Sequence, residues 1–414
     1  MTRPRLAELD ALRALAASIV VVFHLNPTVC IPGWTGVDLF FVLSGYLITT
    51  IVLDHFEESW FIAVFYARRG LRIWPIYYLS LMVLVATAPL MPPSRRPPLE
   101  GLGYYLTFTQ NVTLYQLKPP PKFHPGFEHA WTLALEEQFY VIWPALVALA
   151  AWGGWDRLAA LAGRTAVRRG LGRKLAVSRR RLRWLLAPSG RNLRIMALCA
   201  VLVSMAWMAR EGGYLQYARY SERILIGRCD GFALGGLMAV LLIDRRRVAQ
   251  YLGRYRLAFG LVAVLSFAQI FRKCYTKGLL DYFGLPTPAD PAGTILTINL
   301  FYFGVVGTVV TLCGHPVLAP LRWRPLCFLG LISYGIYVYH WIVIWAFDGN
   351  TTRSEDSFSY GAAKVAVTLA LAMASWYLVE RPLLSLKDRL RYGAGSERES
   401  ATPKRAEYAS SHEA

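Results

Sequence analysis

The sequence predicts an all-α integral membrane protein, a polytopic bundle of about ten transmembrane helices with both termini in the cytoplasm. The first observation is composition. Of the 414 residues, 55% are hydrophobic and only 17% are charged, and the mean hydropathy is +0.35. A soluble domain with a wetted surface is rarely so apolar. The other two observations are a series of apolar runs of membrane-spanning length and the distribution of arginine between those runs.

Ten apolar runs are long enough to cross a hydrocarbon core of about 30 Å. The intervening segment 101–117 is interrupted by Thr107, Thr109, Gln110 and Asn111, and we interpret it as an interfacial or re-entrant piece rather than an eleventh span. The ten runs lie near 9–27, 34–53, 71–91, 130–152, 194–209, 223–243, 256–271, 294–313, 326–347 and 361–379.

Positive charge supports the count of ten and orients the chain. With the N-terminus inside, the basic clusters at 68–72, 157–194 and 245–247 all fall on the cytoplasmic side, as the positive-inside rule requires. An eleventh span would move the richest cluster outside. The net charge of +19 therefore serves to orient helices and to meet anionic membrane lipid, and nucleic-acid binding is not expected.

The predicted organisation is a single membrane domain at 5–385, with a basic cytoplasmic loop at about 155–193. A polar cytoplasmic tail at 386–414 is predicted to be disordered. The six cysteines are scattered and form no C-x-x-C pair, so neither a zinc site nor a disulfide framework is predicted. No ligand set for magnesium or zinc is visible, and we expect no bound metal or cofactor.

The first apolar run carries ionisable side chains on one stripe. At 100° per residue, Arg13 and His24 fall roughly 20° apart, and Asp10 lies about 60° from His24. Ionisable residues inside a membrane are costly and indicate a functional site. For Asp10 and Arg13 we favour a buried ion pair that orients the helix. For His24, the residues alone leave open a catalytic base and a hydrogen bond to a neighbouring helix.

Six phrases in a fixed order carry a resemblance to a known family. Together they closely resemble the acyltransferase-3 family of integral-membrane acyltransferases, over roughly residues 5–385. The phrases are Leu9–Ala16 leading to His24, Gly36–Ile48, Phe65–Pro75, Trp131–Tyr140 followed by Trp143–Pro144, Ser333–His340 and Val379–Pro382.

The resemblance implies transfer of an acyl group, usually acetyl from acetyl-CoA, to a hydroxyl of a sugar or lipid-linked glycan at the bacterial inner membrane. The family's first-helix histidine maps to His24, which implies a catalytic base. Its R-x-x-R pair maps to Arg69 and Arg72, which implies donor binding; by residue type alone these would be positive-inside anchors. The sequence departs from the family pattern in two ways. It ends soon after its last span, where many relatives carry a hydrolase-like domain, and its basic segment is longer than expected of the family.

Other polar residues in apolar runs are candidates for lining or supporting the site. Adjacent helical positions point about 100° apart, so only one of two neighbouring glutamates is expected to face it. For Asp38 and Ser44, lining and packing are equally favoured; for Arg228, Asp230 and His340 we favour structural pairing. The full set is Asp38, Ser44, Glu136, Glu137, Arg228, Asp230 and His340.

Depth predicts a division of labour across the membrane. His24 lies 14 positions beyond Asp10, or roughly 21 Å along a helix. We therefore expect acyl-CoA to bind from the cytoplasm and the acceptor to enter from the opposite side or from the lipid. A serine nucleophile is not expected, because Ser44-Gly45 is not within a G-x-S-x-G elbow. The alternatives are a macrolide-type small-molecule acyltransferase, a proton-coupled transporter or flippase, and an inactive scaffold.

Overall fold

The computed structural model describes residues 6–93, 96–112, 122–151, 190–211, 223–243, 245–279, 283, 291–348, 358–390 and 392. Every regular element within these ranges is a helix, which confirms the predicted class. Most of the predicted basic loop at 155–193 and of the tail at 386–414 lies outside the described residues, as do positions 113–117 of the interfacial segment.

The main helices follow the predicted order along the chain. A 3-10 turn at Ile31–Thr35 precedes α2, another at Pro125–Ala130 precedes α5, and a π-helical turn at Trp376–Glu380 joins α12 to α13. The helices are α1 (Ala7–Leu25), α2 (Gly36–His55), α3 (Phe61–Thr87), α4 (Leu102–Leu106), α5 (Trp131–Ala151), α6 (Gly190–Glu211), α7 (Leu225–Leu242), α8 (Arg245–Lys277), α9 (Pro291–Thr311), α10 (Arg324–Leu331), α11 (Ser333–Asp348), α12 (Phe358–Ser375) and α13 (Arg381–Leu386).

The helices form a polytopic membrane bundle. Among the described residues, eight helical segments are long and apolar enough to cross a bilayer, and α10 with α11, bent by 68°, makes a ninth if the pair is one span. Helix α1 is 19 residues long but contains Glu8, Asp10 and Arg13 in its first two turns. Counting α1 gives the predicted ten. The cytoplasmic location of the termini remains a prediction.

The predicted starts of two spans are wrong by ten residues or more. Helix α8 begins at Arg245, eleven residues before the predicted start at 256. Helix α3 begins at Phe61, ten residues before the predicted start of the third span at 71. The reason is that Arg68, Arg69 and Arg72 interrupt the apolar run in sequence, whereas in the structure they lie inside the helix and are half-buried. The described part of the 101–117 segment contains only the five-residue α4 and one further helical turn, too short to span a membrane.

Helix α1 is enclosed by its neighbours. It packs against α2, α10, α11 and the turn at Ile31–Thr35. Its exposed positions in the middle of the helix, Leu15, Ser18 and Val22, form a single narrow face, while Glu8 and Asp10 are each only 4% exposed. The polar stripe therefore faces protein, as the positions of its residues indicate.

Helices α2 and α7 approach closely because glycine lies at both contact points. A Cβ atom at Gly45 would lie 2.0 Å from the carbonyl oxygen of Phe232, and one at Gly235 would lie 2.1 Å from the carbonyl oxygen of Val42. Small residues at helix contacts are a general feature of membrane bundles, since backbones can then make van der Waals contact directly.

We predict that Gly45→Ala separates α2 from α7 and destabilises the bundle by about 1–3 kcal/mol, as other overpacking substitutions do. Gly260→Ala in α8 is the matched control, because open space surrounds that position. Thermal unfolding in detergent should show a lower midpoint for Gly45→Ala alone. Equal midpoints for the two variants would contradict the packing argument.

Candidate active site

Three cavities lie in series along α1. The basal cavity is at the Asp10 end, the apical cavity is at the His24 end, and the central cavity lies between them. The basal and central cavities share Arg13, Leu47 and Arg72 as lining residues, and the central and apical cavities share a second set. The empty space of the central and apical cavities, including the part that is open to solvent, is about 710 and 730 Å³.

The basal cavity contains charges of both signs. Arg13 donates a hydrogen bond to Asp10 at 3.0 Å, the geometry of the ion pair favoured from the sequence. Arg72 and Lys387 add positive charge to the wall, and Glu380, from the π-helical turn, adds a second carboxylate. The basal cavity is therefore polar, and its positive and negative charges nearly balance.

The central cavity carries an excess of positive charge. The guanidinium groups of Arg13, Arg69 and Arg72 line it together with one carboxylate, Glu136. In the part of the chain that the structure describes, neither Arg69 nor Arg72 forms an ion pair with a carboxylate. Such an arrangement in a low-dielectric interior favours an anionic ligand.

The remaining polar groups of the central cavity are linked to one another. The Ser44 hydroxyl donates to Glu136 at 3.3 Å and lies 3.0 Å from the Tyr140 hydroxyl. Tyr140 in turn donates to the other Glu136 oxygen at 3.0 Å, and the Arg69 guanidinium carbon lies 5.4 Å from the centre of the Tyr140 ring. Ser44 and Glu136 therefore line the central cavity. Asp38 does not line it, which favours a packing role for that residue.

Only one of the two neighbouring glutamates lines a cavity. Glu137 is 8% exposed and points away, where one of its oxygens accepts a hydrogen bond from the Trp74 indole at 3.1 Å. This is the geometry expected of adjacent helical positions. It places Glu137 against α3 rather than in the site.

A thin partition separates the central and apical cavities. Val37, Thr132 and Tyr337 line both. The hydroxyls of Thr132 and Tyr337 are hydrogen-bonded to each other, and each lies 3.2 Å from the His129 carbonyl oxygen. Because a hydroxyl has one proton, one of the two donates to the carbonyl while the other donates to its neighbour. A group passing between the two cavities would pass these side chains.

The apical cavity is lined by two histidines, His24 and His129, and by three tryptophans. Nδ1 of His24 lies 2.9 Å from Nε2 of His340, so the structure brings together two of the predicted residues from α1 and α11. The His340 ring is fully buried behind His24, with its own Nδ1 against the Tyr337 carbonyl at 2.6 Å. The lining residues include His24, His129, Trp34, Trp131, Trp341, Glu128, Arg223 and Arg228.

His129 is a candidate that the sequence did not identify. Among the described residues, neither of its ring nitrogens has a hydrogen-bond partner, although the residue is only 5% exposed and lines the apical cavity. A buried polar group without a partner is uncommon and indicates a ligand or water contact. The only sequence signal was its position two residues before the Trp131–Tyr140 phrase, which is a weak one.

Two further buried ion pairs join α7 to its neighbours, and Arg228 of one pair lines the apical cavity. Arg228 donates to Asp38 at 2.6 Å, linking α7 to α2. Asp230 accepts from Arg210 at 2.8 Å, linking α7 to α6. Arg228 and Asp230 thus make structural pairs, with Asp38 and Arg210 rather than with each other. Burial, followed by repulsion from Arg228, lowers the pKa of the Arg223 guanidinium at the rim.

Metal binding finds no support in this geometry. Within the described ranges, no group of three or more histidine, cysteine, aspartate or glutamate side chains is arranged to hold a metal ion. The expectation that no metal is bound stays a prediction.

The fold and the site define a class, a polytopic helical membrane protein with a cationic interior cavity and a hydrogen-bonded histidine pair. The chain belongs to the family described as acyltransferase domain (Acyl_transf_3), whose model matches residues 6–377. No solved structure matches the chain.

The chain is similar to curated bacterial proteins of the same family. The peptidoglycan O-acetyltransferase OatA of Listeria monocytogenes is 25% identical over 409 residues, covering 92% of this chain and 56% of OatA. The protein named "Putative peptidoglycan O-acetyltransferase YrhL" of Bacillus subtilis is 27% identical over 389 residues, covering 91% of this chain and 54% of YrhL. The chain thus spans about half the length of these curated relatives.

We predict that Arg228→Met destabilises the protein by about 3–5 kcal/mol, because it leaves the Asp38 carboxylate buried without its partner. The double variant Asp38→Leu with Arg228→Met should recover much of that loss, since both charges are then absent. Thermal or denaturant unfolding of the purified variants measures both effects. A double variant less stable than Arg228→Met would show that the pair itself, and not the orphaned charge, governs stability.

Proposed function

We propose that this protein transfers an acyl group, most simply acetyl, from acyl-CoA to a hydroxyl of a carbohydrate-containing acceptor in a bacterial inner membrane. The observation that carries the proposal is the arrangement along α1. An arginine-rich cavity and a histidine-containing cavity lie on either side of a thin partition, and Arg13 and His24 of the same helix contribute to one each.

The arginines suit the donor. CoA carries phosphate groups at the end remote from its thioester, and guanidinium groups bind phosphate oxygens through paired charge-assisted hydrogen bonds. Arg69 and Arg72 are one helical turn apart and both face the central cavity, with Arg72 also facing the basal opening. Phosphates held there leave the pantetheine arm to carry the thioester toward the partition and His24.

His24 suits the base. The acceptor hydroxyl oxygen attacks the thioester carbonyl carbon as its proton passes to the imidazole. The new C–O ester bond forms, the C–S bond breaks, and the CoA thiolate leaves and takes the proton from the imidazolium. Atoms and charges balance without a metal or a bound cofactor.

The apical cavity suits a carbohydrate. The indole rings of Trp34, Trp131 and Trp341 offer flat apolar surfaces for the C–H faces of sugar rings, and the unpartnered His129 offers a polar contact for a hydroxyl. The names of OatA and YrhL place a glycan, peptidoglycan, as the acceptor of those relatives. For this chain we propose the broader class of cell-surface polysaccharide or lipid-linked glycan.

We predict that Arg69→Ala and Arg72→Ala each raise the KM for acyl-CoA roughly 10- to 100-fold, the loss expected for one charge-assisted contact. Arg68→Ala is the matched control. Arg68 belongs to the same cluster but donates to the Lys387 carbonyl and lies over the Tyr392 ring. Initial rates at varied acyl-CoA give the three constants. An equal rise in Arg68→Ala would argue for a general charge effect in place of a donor site.

We predict that His24→Ala lowers the rate of acyl transfer by about 10²–10⁴-fold, the usual contribution of a general base. The assay supplies acetyl-CoA with a labelled acetyl group to inverted membrane vesicles and follows label into glycan and glycolipid fractions. His315→Ala is the control, because that histidine is exposed and lines none of the three cavities. Equal labelling by the intact protein and His24→Ala would remove His24 as the base.

The same assay tests the direction of transfer. In sealed vesicles of known orientation, label should appear only when acetyl-CoA is supplied at the cytoplasmic face. Unimpaired transfer from donor at the other face would contradict the arrangement proposed here. No transfer by the folded protein with candidate acceptors present would point to another donor or to the transporter alternative.

A further inference from the structure

We propose that His340 is a positioning residue for His24, which it holds in the tautomer whose basic lone pair is on Nε2. The inference deepens the proposed function, since it rests on His24 acting as the base. It assigns to His340 a role in the chemistry where residue type alone favoured a structural pairing.

The hydrogen bond between His340 and the backbone determines where its proton is. Its Nδ1 lies 2.6 Å from the Tyr337 carbonyl oxygen, which can only accept. His340 must therefore carry a proton on Nδ1. A neutral imidazole has one N–H group, so its Nε2 carries a lone pair.

That lone pair determines the proton position on His24. Nε2 of His340 lies 2.9 Å from Nδ1 of His24, and with an acceptor on one side the other nitrogen must donate. His24 therefore carries its proton on Nδ1. Its Nε2 keeps a lone pair and makes no hydrogen bond with any described residue, and His24 lines the apical cavity. The nitrogen that remains is the one available to a hydroxyl.

Packing keeps the two rings in this arrangement. Their planes are within 20° of each other, with ring centres 5.1 Å apart, and the Trp341 ring lies edge-on to His24 at 4.6 Å. The His129 ring also packs edge-on against His340, with ring centres 5.0 Å apart. His340 is fully buried, so water does not compete for its Nε2.

The arrangement has a second consequence for the reaction. When Nε2 of His24 takes the hydroxyl proton, the ring becomes an imidazolium whose Nδ1–H already donates to His340. A charged donor strengthens that hydrogen bond, and the bond is aligned before the charge appears. His340 thus stabilises the protonated base without touching the substrate.

Two substitutions of similar size separate positioning from packing. In His340→Gln the side-chain amide oxygen can reach the place of Nε2 and accept from His24, whereas the shorter Asn in His340→Asn reaches only the place of Nδ1. We expect kcat near the wild-type value for His340→Gln and a loss on the order of 10- to 100-fold for His340→Asn, as for other residues that orient a functional imidazole. KM for acyl-CoA should be unchanged in both.

A spectroscopic measurement tests the tautomer without substrate. Nitrogen-15 NMR of histidine-labelled protein in lipid distinguishes protonated from unprotonated ring nitrogens, and His24→Ala identifies the His24 signals. We expect a protonated Nδ1 and an unprotonated Nε2 on His24, with loss of this pattern in His340→Asn. Thermal unfolding confirms that both His340 variants are folded.

The outcomes separate the two proposals. A wild-type His24 protonated on Nε2, or equal kcat losses in folded His340→Gln and His340→Asn, would overturn the positioning role. The expected tautomer combined with full activity of His24→Ala would instead overturn the proposed base and leave the histidine pair as a structural fact.

Discussion

The cost of placing ionisable groups in a membrane is the constraint on which this structure depends. Helix α1 carries Glu8, Asp10, Arg13 and His24, and each must face protein. The bundle meets this need by wrapping α1 with α2, α10 and α11, leaving only a narrow lipid-facing line through Leu15 and Val22. Enclosing one polar helix leaves room on its polar side, and the three cavities occupy that side. The position of the site thus follows from the need to keep the ionisable side chains of α1 away from lipid.

Close packing supplies the enclosure, and it depends on residues without side chains. Gly330 of α10 lies against the Asp10 carbonyl, where a Cβ would come within 1.9 Å, and Gly36 of α2 lies against the Ala16 carbonyl. Van der Waals contact between backbones drives helix association in lipid, because the hydrophobic effect is absent there. Buried ion pairs add direction to this packing. Asp38 with Arg228 and Asp230 with Arg210 link α7 to two different helices, which fixes its rotation.

Much of this architecture could be predicted from the sequence, since the apolar runs and the phrases around His24 and Arg69–Arg72 are local signals. The start of α3 could not, because hydropathy places Arg69 before the span, whereas in the structure it lies inside the helix, half-buried at the wall of the central cavity. The pairing of Arg228 with Asp38 could not be predicted either, since 190 positions separate the two residues in sequence. His129 was missed for a related reason: only the fold places it against His340, and an isolated histidine in sequence carries no geometric information.

A single rigid helix sets the geometry of the proposed reaction. Arg13 and His24 are 11 positions apart, which corresponds to about 17 Å of rise and nearly the same azimuth. The proposed donor-binding cavity and the proposed base therefore keep a constant separation and a common face of the helix. An acyl-CoA donor has its phosphates at one end and its thioester at the other, and both ends must be held at once. Two sites at a fixed separation meet that need. The partition at Thr132 and Tyr337 then lies where the acyl group would change carriers, between the cavity proposed to bind the phosphates of the donor and the cavity proposed to bind a sugar.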